Sequence, residues 1–65
     1  MLGYVKKWYG DRGFGFIGAQ DGSEYFVHIT DVHSFPRELK LDQEVSFEVI
    51  QTDRGPRAIN VTVVE

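Results

Sequence analysis

Two short runs hold the residues of this chain best suited to chemistry: Arg12-Gly13-Phe14-Gly15-Phe16-Ile17 and Tyr25-Phe26-Val27-His28-Ile29. Side chains alternate across a β-strand, so Phe14 and Phe16 share one face, with Gly15 and Ile17 on the other. In the second run Phe26 and His28 share a face, opposite Tyr25, Val27 and Ile29. Ile17 and Val27 suit a core, which leaves Phe14, Phe16, Phe26 and the His28 imidazole for the solvent side. An exposed aromatic patch on a sheet needs a reason. With cations beside it, the chemistry it offers is stacking of unpaired nucleobases, each contributing about 1–3 kcal/mol. Lys6, Lys7 and Arg12 are those cations, with only Asp11 among them.

Catalysis finds little support. His28, Asp31 and His33 are the only cluster with metal or acid–base character, and they lack a fourth ligand. Gly13-Phe14-Gly15 lies within a strand and so does not cradle a phosphate at a helix start. The expectation is a protein that is not an enzyme and has no metal and no cofactor.

The elements that must position these rings are strands. We read them at about residues 3–9, 13–19, 24–29, 44–51 and 57–64. Gly10-Asp11-Arg12-Gly13 and Gln20-Asp21-Gly22-Ser23 are turn sequences, and Asp-Gly is a strong hairpin signal. Residues 30–43 break the alternation. Thr30-Asp31-Val32-His33 suits a single helical or 3₁₀ turn, and Ser34-Phe35-Pro36 favours extended chain. In the fourth strand Val45, Phe47 and Val49 share one face. Five short strands with a long third connection predict an all-β, five-stranded antiparallel Greek-key barrel of the oligonucleotide-binding type. A small SH3-like barrel fits the same pattern.

The chain has 65 residues, which predicts a single domain over 1–65. It has no cysteine, which suits a reducing cytoplasm and excludes disulfides and thiolate zinc sites. No apolar run suggests a leader or a membrane helix, so no membrane partner is expected. Asn60-Val61-Thr62 matches a glycosylation sequon and carries little weight without a leader. Seven basic against ten acidic residues give a net charge of −3, unusual for a nucleic-acid binder. Distribution matters more than the sum. The cations flank the first aromatic run, while Asp31, Glu38, Asp42, Glu44 and Glu48 come later.

The chain resembles the cold-shock domain along essentially its whole length. Residues 12–17 are similar to the family's Lys-Gly-Phe-Gly-Phe-Ile motif, and residues 25–29 to its Val-Phe-Val-His-Phe motif. Gly3 to Lys6 matches the opening Gly-x-Val-Lys, and Gly55 to Val61 matches the closing Gly-Pro-x-Ala-x-Asn-Val. The resemblance implies a barrel that binds single-stranded RNA or DNA, with members acting as RNA chaperones or as modulators of transcription and translation. Lys7 stands at the family's Trp position, Trp8 at its Phe position, and Ile29 replaces a stacking Phe. One stacking platform is thereby exchanged for a phosphate contact at Lys7.

The candidate interface is therefore Lys6, Lys7, Trp8, Arg12, Phe14, Phe16, Phe26, His28, Phe35 and Arg57. Lys6 alternates opposite Val5 and should face the ligand. Trp8 is assigned to the interface against the alternative of a half-buried ring closing one end of the barrel. Phe35 and Arg57 enter through the resemblance, as a loop aromatic and a residue beside the binding face. Tyr9 is left open, Tyr25 is expected inside, and Glu24 either accepts from a base or is solvated. The expected partner is single-stranded RNA or DNA with a mild pyrimidine preference, bound by a monomer. The rivals are a protein-interaction barrel that binds a peptide on the aromatic patch, and a ribosome-associated barrel.

Overall fold

The computed structural model describes residues 1–64. β1 (Leu2–Tyr9), β2 (Phe14–Ala19) and β3 (Glu24–His28) form a meander. A 3₁₀ turn follows at Ile29–Asp31, and after the long connection β4 (Glu44–Thr52) and β5 (Gly55–Val63) form a hairpin. The strands close in the order β1-β2-β3-β5-β4, with β4 pairing back onto β1. This is the five-stranded barrel expected, and closure removes the free edges that a small all-β chain must otherwise protect. One seam departs from the antiparallel pairing expected: β3 and β5 pair in parallel over a short stretch, because the long connection lets β5 arrive in the direction of β3, setting Phe26 beside Arg57 and Val27 beside Ala58.

The inward positions fill the barrel. Val5, Ile17, Val27, Val45, Phe47, Ala58 and Val61 are buried, and the long connection adds Val32 and Leu39. Burying each aliphatic side chain of this kind stabilises the fold by about 1.5–3 kcal/mol. The connection is pinned at both ends: His33 N–H donates to the Val61 carbonyl at 2.7 Å, and Asp42 N–H to the Val5 carbonyl at 2.8 Å. Tyr25 packs inward as expected, its ring centroid 5.8 Å from that of Phe47.

Strand ends differ from the sequence reading for local reasons. Gly13 belongs to the turn, with φ +73°, so β2 starts at Phe14. Ile29 opens the 3₁₀ turn rather than ending β3. Thr52 pairs with Gly55, so Asp53 and Arg54 alone make the last hairpin turn and β5 begins two residues before Arg57.

Two bulges break strict alternation. In β1, Val5 pairs with Ile17 but Lys7 pairs with Phe16, which leaves Lys6 as the extra residue. In β5, Thr62 pairs with Ser46 and Ile59 with Glu48, leaving Asn60 and Val61 opposite Phe47 alone. Asn60 takes φ +52°, a conformation asparagine tolerates better than most residues. A bulge opposes two residues to one and shifts the phase of everything beyond it. Ala58 and Val61 can thus both face the core although they lie three apart.

Candidate functional site

The bulge at Lys6 decides what the first strand offers. Residues opposite each other on paired strands share a face. Lys7 therefore stands on the Phe16 side and Tyr9 on the Phe14 side, while Trp8 lies opposite Gly15 on the inner side. Lys6 is exposed as well, so two consecutive lysines emerge outward. Trp8 accordingly departs from the expected interface. Its ring is half-buried and packs against the core, which is the alternative weighed for it in the sequence. Gly15 makes room: a Cβ there would collide with the Lys7 carbonyl and come within 2.7 Å of the Trp8 ring. Trp8 Nε1 is buried without a hydrogen-bond partner among the described residues.

Tyr9, left open by the sequence, joins the rings. Its centroid is 5.2 Å from that of Phe14, and Phe14 stacks on Phe26 at 5.7 Å with planes 29° apart. Phe16 meets both phenylalanines edge-on, at 6.5 Å from Phe14 and 5.9 Å from Phe26. These rings form one continuous outer patch across β1, β2 and β3. A signal for Tyr9 was present. Val5 and Trp8 are bulky apolar residues three apart, a spacing that fits two inward positions only if the strand bulges between them.

His28 pairs with Phe14 and extends the patch. Thr30 N–H donates to His28 Nδ1 at 3.2 Å, and the Thr30 hydroxyl lies 2.9 Å from the same nitrogen. A nitrogen that accepts carries no proton, so the neutral ring holds its proton on Nε2.

The remaining candidates are scattered. Lys6 Nζ lies 3.4 Å from the Glu24 carboxylate, an exposed pair of small energetic weight. Lys7 and Arg12 make no ion pair among the described residues. Arg12 is exposed in the β1–β2 turn, its N–H donating to the Tyr9 carbonyl at 3.0 Å. Arg57 is tied to Asp31, its Nε donating to Oδ2 at 2.8 Å. Phe35 stands 84% exposed on the long connection, with the Arg37 guanidinium 5.4 Å from its ring centroid and no ring of the patch against it. Ile29 packs under Gly13 and lines a small cleft with Trp8, Gly10, Pro36, Arg37 and Glu38.

An open groove of about 610 Å³ runs beside the patch, between Phe16 and Phe26 on one side and residues 52–57 on the other. No cluster of three or more potential metal ligands occurs among the described residues. Among the described residues no helix is long and apolar enough to cross a membrane.

Comparison with known proteins agrees with this geometry. The family model described as "'Cold-shock' DNA-binding domain" matches residues 1–64. The chain is 44% identical to the cold shock-like protein CspD of Bacillus cereus over 63 residues, covering 95% of this chain and 96% of that protein. It is 45% identical to the cold shock protein CspB of Geobacillus stearothermophilus over 60 residues, covering 91% of each. Among solved structures, "drosophila Unr CSD456" superposes with a TM-score of 0.76 at 28% identity, over 98% of this chain and 26% of that one. Fold, motif order and full-length similarity agree: the chain belongs to the cold-shock DNA-binding domain family, whose members are nucleic-acid-binding proteins and not enzymes.

Proposed function

We propose that this domain binds single-stranded RNA or DNA by stacking unpaired bases on Phe14, Phe16, Phe26 and Tyr9, with His28 at the edge of the platform. The observation that carries the reading is the continuous outer ring patch flanked by Lys6 and Lys7. Every base has a π-face, so stacking tolerates most sequences and gives at most a mild pyrimidine preference. Duplexes bind poorly, because their bases are already stacked and hidden. Lys7 and Arg12 attract the backbone, and the overall charge of −3 keeps that attraction local and sensitive to salt. His28 Nε2–H is a free donor for a base carbonyl.

In a cell the domain acts as a cytoplasmic monomeric RNA chaperone or a modulator of transcription or translation. Holding strands open needs no ATP: binding the unpaired form alone shifts weak secondary structure towards melting by mass action. The test is anisotropy of labelled oligo-dT, oligo-U and a matched duplex at low and moderate salt. Binding to both single strands, weak binding to duplex, and loss of affinity with salt support the reading. Equal affinity for duplex and single strand sinks it. So does Phe14→Ala or Phe26→Ala binding as tightly as the parent.

A further inference from the structure

The groove beside Phe26 is lined by Arg57, which belongs to a charged pair that stacking leaves without a role. Arg57 stands next to Phe26 across the parallel seam and lines the groove with Phe16 and the β4–β5 turn. Its Nε donates to Asp31 Oδ2 at 2.8 Å, and its Nη2 donates to the same oxygen. Asp31 is held in turn by its place in the 3₁₀ turn, where the His28 side chain caps the Thr30 N–H. The Asp31 side chain is 19% exposed and that of Arg57 36%.

Two consequences follow from the pairing. The first is electrostatic. Asp31 neutralises Arg57, and Asp53 opposes Arg54 on the groove wall, so the groove has no net cation to draw a phosphate. The second is directional. A guanidinium offers five N–H donors in a rigid plane. Asp31 takes one from Nε and one from Nη2, and Nη1 has no partner among the described residues. Donors fixed in a plane beside an aromatic ring match the carbonyl edge of a stacked base.

We propose that the Asp31–Arg57 pair reads a carbonyl-bearing base seated in this groove against Phe26, with Arg57 as the contact and Asp31 as its positioning residue. Thymine, uracil, cytosine and guanine carry such a carbonyl and adenine does not. The inference rests on the stacking reading and adds a base preference to it. Asp31 lies outside both aromatic motifs. Its importance appears only when residues 26 apart in the chain are brought together.

The test compares oligo-dT with oligo-dA by anisotropy across a salt series, for the parent, Asp31→Ala and Arg57→Lys. Adenines also stack on one another, so the informative quantity is the change in preference between variants. The parent should prefer oligo-dT. Asp31→Ala should narrow that preference about fivefold or more. It should also steepen the slope of log affinity against log salt by about 0.7, because a freed Arg57 gains one phosphate. Arg57→Lys should narrow the preference without steepening the slope, since the lysine keeps the charge and its partner but loses the planar donors.

A parent indifferent to dT and dA overturns the proposal. So do variants in which affinity for both oligonucleotides falls equally, or in which preference and slope both stay at the parent's values. If Asp31→Ala fails to fold, as read by thermal melting, Arg57→Lys decides alone. A parent that binds no oligonucleotide overturns the stacking reading itself. Loss of binding in Phe26→Ala with an unchanged preference in Arg57→Lys and Asp31→Ala overturns only the inference drawn here.

Discussion

The outer surfaces of β1–β3 and of β4–β5 wrap one core and carry opposite chemistry. Inside, both halves contribute the same kind of residue: Val5, Ile17 and Val27 from one, Val45, Phe47, Ala58 and Val61 from the other. Outside, the first half shows the rings of Tyr9, Phe14, Phe16 and Phe26 with Lys6 and Lys7. Away from Arg57, which stands beside Phe26 at the seam, the second shows Glu44, Ser46, Glu48 and Ile50 on β4 and Asn60 and Thr62 on β5. Inward positions answer to packing and look alike everywhere. Outward positions have no such demand, so half-buried rings gathered on the outer face mark where a partner is met.

The largest way to break this comparison is to change sides within one residue type. Phe47 faces in, and Phe47→Ala should cost about 3–5 kcal/mol of stability, read as a shift of the urea midpoint. Phe14→Ala and Phe26→Ala face out, with half-buried rings packed on one another, and should cost clearly less stability than Phe47→Ala. Each should instead weaken oligo-dT binding by about 1–3 kcal/mol, roughly 5- to 150-fold. Equal stability losses at Phe47 and Phe26 would erase the distinction between the two faces.

The bulge at Lys6 makes a sharper claim on neighbours. Tyr9→Ala should lose binding on the order of 1 kcal/mol or more, as one ring of the platform. Trp8→Phe should bind as the parent does and melt at an equal or higher temperature, because it removes a buried N–H that has no partner. The reverse result, with Trp8→Phe impaired and Tyr9→Ala intact, would restore the strictly alternating strand. Gly15→Ala tests the same geometry from across the sheet. The added methyl meets the Lys7 carbonyl and the Trp8 ring, and overpacking of this kind costs about 1–3 kcal/mol.

The acidic half should respond least. Glu48→Gln should change oligo-dT affinity by less than about half a kcal/mol, as surface changes away from a site do. Asp21, in the β2–β3 turn, gives the smallest effect and a signed one. Ser23 N–H donates to its carboxylate at 2.9 Å and holds the carboxyl below its ordinary value. A group depressed in the folded state stabilises above its unfolded pKa, and this contribution fades as pH falls through the folded one. The gap in melting temperature between the parent and Asp21→Asn should therefore close as pH drops below about 4. A gap that widens would contradict that sign.

Much of the platform is legible in the chain because alternation is a local property. β2 and β3 pair without interruption, Phe14 with His28 and Phe16 with Phe26, so period two carries Phe14, Phe16 and Phe26 outward and Ile17 and Val27 inward with no outside information. The count of strands and the long third connection narrow the class to two small barrels, and the order of the four motifs chooses between them. What the residues could not decide alone lies where phase depends on a partner strand. One extra residue at Lys6 turns Trp8 in and Tyr9 out, and that residue is extra only relative to Ile17 and Phe16 across the ladder. Arg57 is a free cation in the sequence and a clamped one in the fold, because closure brings Asp31 to it from 26 residues away. Local periodicity determined which strands exist and which rings they carry. Pairing register and barrel closure determined which of those rings share a surface and which charges on it remain free.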